Sequence, residues 1–258
     1  MAARPTLLLL QYDGGSFAGW QRQPSARTVQ GVVEDILARL LDRRTPVIGS
    51  GRTDAGVHAT GQAAAAMVPE RWEPRDLMRA MNALLPSDVW VAAARRMVPG
   101  FNPRRDALER TYCYRIGTDA GGRSPFRSRH EWALGCPLDV ARLLTAARSL
   151  LGEHSFRALS AKGPEKEHYR CRVLEALWLA REDAGGLEFW ITANRFLHHM
   201  VRFLVGTMVD IARGRREPDD LAKLLGDADN SDASPPAPPQ GLFLVGVRYP
   251  AHLFAEAP

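Results

Sequence analysis

The chain has 258 residues, of which 45 % are hydrophobic and 24 % charged, and its formal net charge at pH 7 is +5. This composition is ordinary for a globular protein with a core of useful size. No apolar run reaches the roughly 18 residues of a membrane span, and the run at residues 7–10 is too short for a signal peptide, so we expect a cytoplasmic protein without a membrane segment.

The first half of the chain predicts alternating short strands and helices. A buried strand is predicted at residues 6–12, and the apolar spacing after Thr28 predicts a helix to about residue 42. Strands are predicted at 46–49 and 62–68, with a loop rich in Gly, Thr and Asp at 51–61 between them. A helix at 74–85 and a strand at 89–97 follow.

The second half repeats this mixture of elements. Strands are predicted at residues 110–117, 170–181, 187–193 and 242–249, and helices at 138–151, 196–213 and 219–225. The polar, Pro-rich residues 227–240 predict a flexible surface loop. No GxGxxG or GxxxxGK[ST] motif is present, which argues against a nucleotide-binding α/β fold. We therefore predict an α+β fold with a mainly antiparallel sheet, in two halves at residues 1–105 and 106–258.

The cysteines and the basic residues set limits on partners. Cys113, Cys136 and Cys171 are odd in number and widely spaced, without a CxxC pair, so neither a disulfide framework nor a structural zinc site is predicted. Nearly all basic residues are arginine, which suits contact with phosphate. Codon usage in a GC-rich genome would produce the same bias, so the charge alone does not identify a partner.

The segment GRTDAGVHA at residues 51–59 is the most informative for chemistry. Its two glycines bracket Asp54 in a loop, and glycine permits tight turns and close approach of a ligand. Asp54 could therefore be presented to a substrate, with Arg52 nearby on the same loop. Alternatively, Asp54 forms a local turn and Arg52 is a surface charge.

This segment resembles the signature of the TruA-type tRNA pseudouridine synthases. Further blocks of this chain resemble that family in the same order and at similar spacing: YDGGSFAGWQRQP at 12–24, TVQGVVE at 28–34, FNPRRDALERTYCYRI at 101–116, HSFRALS at 154–160, ANRFLHHMVRFLVGTMVDIARG at 193–214 and PPQGLFLVGVRYP at 238–250. The resemblance thus extends over most of the chain.

The resemblance implies a fold and an activity. The fold would be two ferredoxin- or RRM-like halves that form one extended, mainly antiparallel sheet flanked by helices, with a central active-site cleft. The protein would be a homodimer that binds tRNA and isomerises uridine to pseudouridine at positions 38, 39 and 40 of the anticodon stem-loop, with no cofactor. Phosphate contacts from arginine would position the RNA.

The resemblance also implies three catalytic residues. Asp54 would be the nucleophile or base, and its target, C1′, C6 or a sugar proton, is left open. Tyr112 would stack on the uracil and relay a proton; alternatively it is a core aromatic residue of a strand. Arg202 would pair with Asp54 and favour its ionised form; alternatively it is a surface arginine of a helix.

Substrate contacts are expected from Arg52, His58 and Leu242, besides Tyr112. The resemblance implies that Arg52 helps to displace the target base, and that Leu242 lies against the uracil ring unless it is an ordinary core residue. His58 would contact RNA or pack in the interior. No metal site is predicted, because HExxH is absent and because His198 and His199 would point about 100° apart on the predicted helix.

Two other functions remain as hypotheses. The chain could be a non-catalytic RNA-binding protein that kept the fold, although intact Asp54, Tyr112 and Arg202 argue against this. It could also be a carboxylate glycoside hydrolase, but such enzymes usually need a second acid, and no motif marks one.

Overall fold

The computed structural model of the protein describes residues 2–162, 168–181, 185–226 and 230–255. The chain forms two compact units, the first from Met1–Leu108 with Leu244–Pro258 and the second from Glu109–Phe243. The first three residues of the predicted loop at 227–240 lie outside the described ranges. Among the residues described, every helix is too short or too polar to serve as a membrane span.

The first unit is built on a long central strand. Its elements are β1 (Ala3–Tyr12), α1 (Val29–Leu41), β2 (Val47–Gly49), β3 (His58–Pro69), α2 (Pro74–Asn82) and β4 (Val89–Arg96). β1 pairs antiparallel with both β3 and β4, and β2 pairs antiparallel with β3. Alternate β1 residues such as Leu8 and Leu10 are fully buried, as expected for a strand that packs one face into a core.

Helix α1 has a capping residue at each end. The Thr28 side chain accepts a hydrogen bond from the Gly31 N–H, as an N-cap residue does, and Asp42 adopts a left-handed conformation after the last helical residue. Val29, Val33 and Leu37 are fully buried and follow one another at four-residue spacing. The helix is therefore held by a single apolar face.

The second unit places helices over one face of a sheet. Its elements are β5 (Glu109–Gly117), β6 (Trp132–Ala133), α3 (Val140–Arg148), β7 (Gly152–Ser155), β8 (Arg170–Ala180), β9 (Leu187–Ala193), α4 (Met200–Ala212) and α5 (Asp220–Leu224); the last strand, β10 (Leu242–Arg248), begins in this unit and ends in the first. β5, β9, β8 and β7 pair antiparallel in that order. Trp178 of β8 directs its indole N–H at the Met208 sulfur of α4, 3.4 Å away, so α4 covers the buried face.

The predicted α+β class with a mainly antiparallel sheet is confirmed. Within the described ranges there are ten strands and five α-helices. Apart from β6, β7 and α5, the elements of the second unit follow the order β5–α3–β8–β9–α4–β10, which is the ferredoxin-like βαββαβ order. The two-residue strand β6 and the four-residue strand β7 were not predicted, because such short pairings carry no period of their own.

The prediction of a helix at residues 196–213 is wrong in its first turn. Helix α4 begins at Met200, and His199 has φ 60°, a left-handed conformation that an α-helix cannot contain. His198 and His199 therefore do not point apart on a helix; their ring centroids are 4.0 Å apart, with 40° between the planes. Helical periodicity misled here because Phe196 and Leu197 extend the apolar pattern beyond the helix.

Candidate active site

The loop that carries Asp54 ends in a tight turn. The Val57 N–H donates to the Asp54 carbonyl oxygen at 3.2 Å, which closes a β-turn with Ala55 and Gly56 at its tip. Gly56 has φ 77°, the conformation that a type II turn requires at its third residue and that glycine adopts without strain. Asp54 is thus the first residue of a turn with a defined backbone.

A second segment, residues 12–20, holds this loop from the side, and we call it the N-terminal clasp. The Trp20 N–H donates to the Thr53 carbonyl oxygen at 3.0 Å, and the Gly56 N–H donates to the Phe17 carbonyl oxygen at 3.3 Å. The two bonds lie on either side of Asp54 in sequence. They fix the backbone from which its carboxylate projects.

Two glycines of the N-terminal clasp allow its backbone to touch the loop. A Cβ atom on Gly14 would lie 2.0 Å from the Val57 carbonyl oxygen, and one on Gly19 would lie 2.9 Å from the Thr53 carbonyl oxygen. Gly19 also has φ 94°, where other residues are strained. Sequence reasoning missed this role of residues 12–20, for which the three closely spaced glycines at 14, 15 and 19 were the available signal.

Side chains complete the contact between clasp and loop. The Tyr12 hydroxyl and the Thr53 hydroxyl are 2.8 Å apart and form a buried hydrogen bond. Burial raises the pKa of Tyr12, so its phenol stays protonated and able to donate. Trp20 is 2 % exposed and packs so closely on Gly49 that a Cβ there would lie 2.7 Å from the indole ring.

The predicted residues of the first unit differ in their exposure. Arg52 is exposed, Asp54 is half-buried and His58, the first residue of β3, is buried. The His58 Nδ1 accepts a hydrogen bond from the Gly14 N–H at 3.0 Å. His58 therefore supports the N-terminal clasp from within, and its contact with substrate stays a prediction.

Tyr112 occupies a buried position on β5 in the second unit. Tyr112 is 8 % exposed, and its ring meets the ring of Phe196 edge to face, with centroids 4.9 Å apart. Tyr114, two residues further, shares the same face of the strand and donates its hydroxyl to the Pro238 carbonyl oxygen at 2.7 Å. Burial raises the pKa of Tyr114, whereas the charge of Arg202 acts in the opposite direction.

Arg202 lies on α4 and is hydrogen-bonded to the segment before β10. Its Nε donates to the Ala237 carbonyl oxygen at 2.7 Å, and its own carbonyl oxygen accepts from the Ala237 N–H at 2.9 Å. One turn along α4, a Cβ on Gly206 would lie 2.1 Å from the Pro235 carbonyl oxygen. The bond through Nε uses one of the five donors of the guanidinium group and orients the others.

The predicted residues of the second unit are thus linked through residues 235–238. Arg202 contacts Ala237, and Tyr114 on the Tyr112 strand contacts Pro238. Leu242 follows shortly afterwards as the first residue of β10 and is 5 % exposed. The prediction of a flexible surface loop is wrong for this segment, because Ser234 and Ala237 are 4 % and 1 % exposed and the hydrogen bonds hold it against α4 and β5.

Comparison with known proteins identifies one family. The family model described as "tRNA pseudouridine synthase" matches residues 9–99 and 146–250. A protein of Myxococcus xanthus named "tRNA pseudouridine synthase A" is 39 % identical over 94 % of this chain and 91 % of its own length. A protein of that name from Cereibacter sphaeroides (strain KD131 / KCTC 12085) is 40 % identical over 96 % of this chain and 98 % of its own length. One from Geobacter sulfurreducens is 39 % identical over 95 % of this chain and 100 % of its own length.

Proposed function

Since the chain belongs to the tRNA pseudouridine synthase family, we propose that it converts uridine to pseudouridine at positions 38, 39 and 40 in the anticodon stem-loop of tRNAs. The family itself makes the chain an isomerase that acts on tRNA. This decides against the glycoside hydrolase and the binding-only protein. The observation that carries the proposal is the carboxylate of Asp54 on a turn that the N-terminal clasp holds on both sides.

The reaction moves one bond and one proton. The N1–C1′ bond breaks, the uracil turns, and a C5–C1′ bond forms; the C5 proton leaves and N1 gains a proton. No electrons pass to another molecule, so the proposal needs no cofactor. A carboxylate can start this sequence as a nucleophile at C1′ or C6, or as a base that removes a sugar proton.

Asp54 is the proposed nucleophile or base. Catalysis by a single positioned group depends on its being held in the reactive geometry before substrate arrives. Backbone bonds to Thr53 and Gly56 and the closed turn at Val57 restrict the loop in this way. Its half-buried state also fits a group that must meet a nucleotide.

The other roles are carried over from the family onto matching positions. Tyr112 is proposed to stack on the uracil and to relay the C5 proton through its phenol, and Arg202 to serve as counter-ion of the Asp54 carboxylate. Arg52 is proposed to occupy the place that the target base leaves. Its exposure and planar guanidinium suit stacking in an RNA helix. Leu242 and His58 are proposed as further substrate contacts.

The proposed assembly is a cytoplasmic homodimer that grips tRNA through arginine–phosphate contacts. The formal charge of +5, mostly from arginine, supports attraction to an anionic partner. Each phosphate contact releases condensed counterions, so tRNA binding should weaken as salt rises. A tRNA binding constant that does not change with salt would contradict the proposed arginine–phosphate contacts.

Release of tritium from C5-labelled uridine tests the position of the reaction. Three tRNA transcripts would each carry labelled uridine at 38, 39 or 40 alone, and a fourth would carry it only elsewhere in the molecule. We expect release from the first three and none from the fourth. Release from the fourth transcript, or from none of them, would contradict the proposed target.

A further inference from the structure

The segment between β5 and α3 presents a solvent-exposed aromatic side chain that the proposed mechanism does not use. Phe126 is 89 % exposed, and among the described residues the next most exposed large hydrophobic side chain is Trp90, at 53 %. Covering a phenyl ring of this size with another apolar surface is favourable by about 1.5–3 kcal/mol. A partner that covers the ring would therefore gain binding energy.

Phe126 occupies the tip of a β-turn. The Arg127 N–H donates to the Ser124 carbonyl oxygen at 2.9 Å, which places Pro125 and Phe126 at the two central positions. Proline is favoured at the first of these, because its fixed φ matches the turn. The ring therefore projects from the tip of a turn whose backbone is hydrogen-bonded.

An ion network anchors this turn to the sheet. Arg127 donates two hydrogen bonds to the Asp119 carboxylate, at 2.9 and 2.8 Å, and one to the Gly185 carbonyl oxygen at 2.7 Å. Its Nε lies 3.0 Å from the Glu131 carboxylate, as an ion contact without the alignment of a hydrogen bond, and Glu131 also pairs with Arg181. Since Glu131 is 1 % exposed, Arg127, the residue after Phe126, is anchored to a buried carboxylate.

Two exposed arginines flank the tip in sequence. Within the network two carboxylates, of Asp119 and Glu131, offset two guanidinium groups, of Arg127 and Arg181. Arg123 and Arg129 lie three residues to either side of Phe126, and both are exposed. Exposed aromatic rings with arginines nearby in the chain are typical of surfaces that bind RNA, through stacking on bases and contact with phosphates.

We propose that Phe126 is a substrate-positioning residue that stacks on an unpaired base of the tRNA, with Arg123 contacting a neighbouring phosphate. The inference rests on the tRNA substrate of the proposed function and adds a contact that lies outside the residues assigned to catalysis. A stacked base gives affinity without base-specific hydrogen bonds, so the contact would tolerate different tRNAs. It would act on binding and leave the chemical step unchanged.

Steady-state tritium release with full-length tRNA tests the stacking. Phe126→Ala should raise KM about 5- to 150-fold, the loss expected for one stacked base, with kcat at the wild-type value. Phe126→Trp should restore KM, because an indole also stacks. Trp90→Ala removes an exposed aromatic side chain of the first unit and should leave both constants unchanged.

Salt dependence separates the two contacts. The logarithm of the tRNA association constant falls linearly with the logarithm of the salt concentration, and Arg123→Ala should make this slope less steep by about 0.9. Phe126→Ala should leave the slope unchanged, because a phenyl ring releases no counterions. An unchanged KM in Phe126→Ala would overturn the inference. A mass halved from dimer to monomer in that variant would also overturn it, because the ring would then cover a second copy of the chain.

These outcomes are distinct from failure of the proposed function. If the wild-type enzyme releases tritium from positions 38, 39 and 40 while Phe126→Ala behaves identically, the proposed function stands and the stacking is wrong. If the wild-type enzyme releases tritium only from other uridines, the target is wrong, and the KM of Phe126→Ala for those tRNAs still decides the stacking.

Discussion

A Cβ atom on Gly14 would lie 2.0 Å from the carbonyl oxygen of Val57, so the two backbones touch where the N-terminal clasp meets the Asp54 loop. The residue after Val57, His58, accepts a hydrogen bond from the Gly14 N–H at its Nδ1, at 3.0 Å. No larger residue fits at position 14 unless the clasp and the loop move apart. The position of the Asp54 turn thus depends on a residue that has no side chain.

Gly14→Ala should therefore damage both stability and activity. We expect the free energy of unfolding to fall by about 1–3 kcal/mol through overpacking. We expect kcat to fall by about 100-fold, because a displacement near 1 Å of a catalytic group costs that much. Urea unfolding and tritium release measure the two effects. Gly246→Ala is the matched control for stability, since a Cβ there meets nothing within 4 Å; equal unfolding free energies for the two variants would refute the close contact.

Removal of Glu131 tests the ion network of the second unit. Glu131→Ala leaves Arg181 and Arg127 without their buried partner, and the free energy of unfolding should fall by about 3–5 kcal/mol. The control is Glu70→Ala, which breaks a pair with Arg4 whose side chains are 46 % and 54 % exposed. That loss should stay below about 1 kcal/mol, because solvent screens exposed pairs. Similar losses in the two variants would mean that the network is not buried in solution.

Stability should decline at high pH. Burial, and secondarily the charge of Glu188, raises the pKa of the Cys113 thiol to about 12, whereas the unfolded thiol titrates near 9.0. Between these values the unfolded state loses the proton that the folded state keeps. The stabilisation is complete below pH 9 and is lost as pH rises towards 12, by about 1.4 kcal/mol per pH unit. Burial also raises the pKa of Tyr12 and of Tyr114, so each adds to the decline above pH 10.

The Cys113 contribution can be isolated by substitution. Unfolding free energies at pH 8 and pH 10.5 would be compared for wild type and Cys113→Ala. The decline between the two pH values should be smaller in the variant by about 2 kcal/mol, since the variant has no thiol to titrate. Equal declines would show that the thiol titrates alike in both states.

Tyr112→Phe separates stacking from proton relay. The ring and its edge-to-face contact with Phe196 would remain, and only the hydroxyl would be lost. Binding of tRNA should be unchanged, while the C5 proton-transfer step, measured by tritium release in a single turnover, should slow by about 100-fold or more. A release rate equal to wild type would remove the phenol from the mechanism.

Local patterns predicted most regular elements of the fold. The N-cap at Thr28 and the apolar spacing after it placed α1 correctly, and the alternation in residues 187–193 gave β9 its observed bounds. Periodicity failed where apolar residues continue past the end of an element, as at His199, whose left-handed backbone precedes α4. It also gave no signal for β7, which depends on pairing with β8.

The sequence indicates candidate site residues, but it does not predict the contacts that hold them in place. A family signature pointed to Asp54, but the bond from Trp20 to Thr53 joins residues far apart in the chain. The same holds for the Arg202 contact with Ala237 and for the pairing of Arg181 with Glu131. Such contacts follow from packing of distant segments, and the spacing within one segment does not encode them.

Single-turnover tritium release from C5-labelled tRNA by Asp54→Asn, with tRNA affinity measured in parallel, tests whether the Asp54 carboxylate carries the chemistry. The substitution keeps the size of the side chain and removes its charge and basicity. We predict that release is abolished while tRNA affinity stays near the wild-type value. Release at the wild-type rate would contradict the assignment of the chemistry to the Asp54 carboxylate.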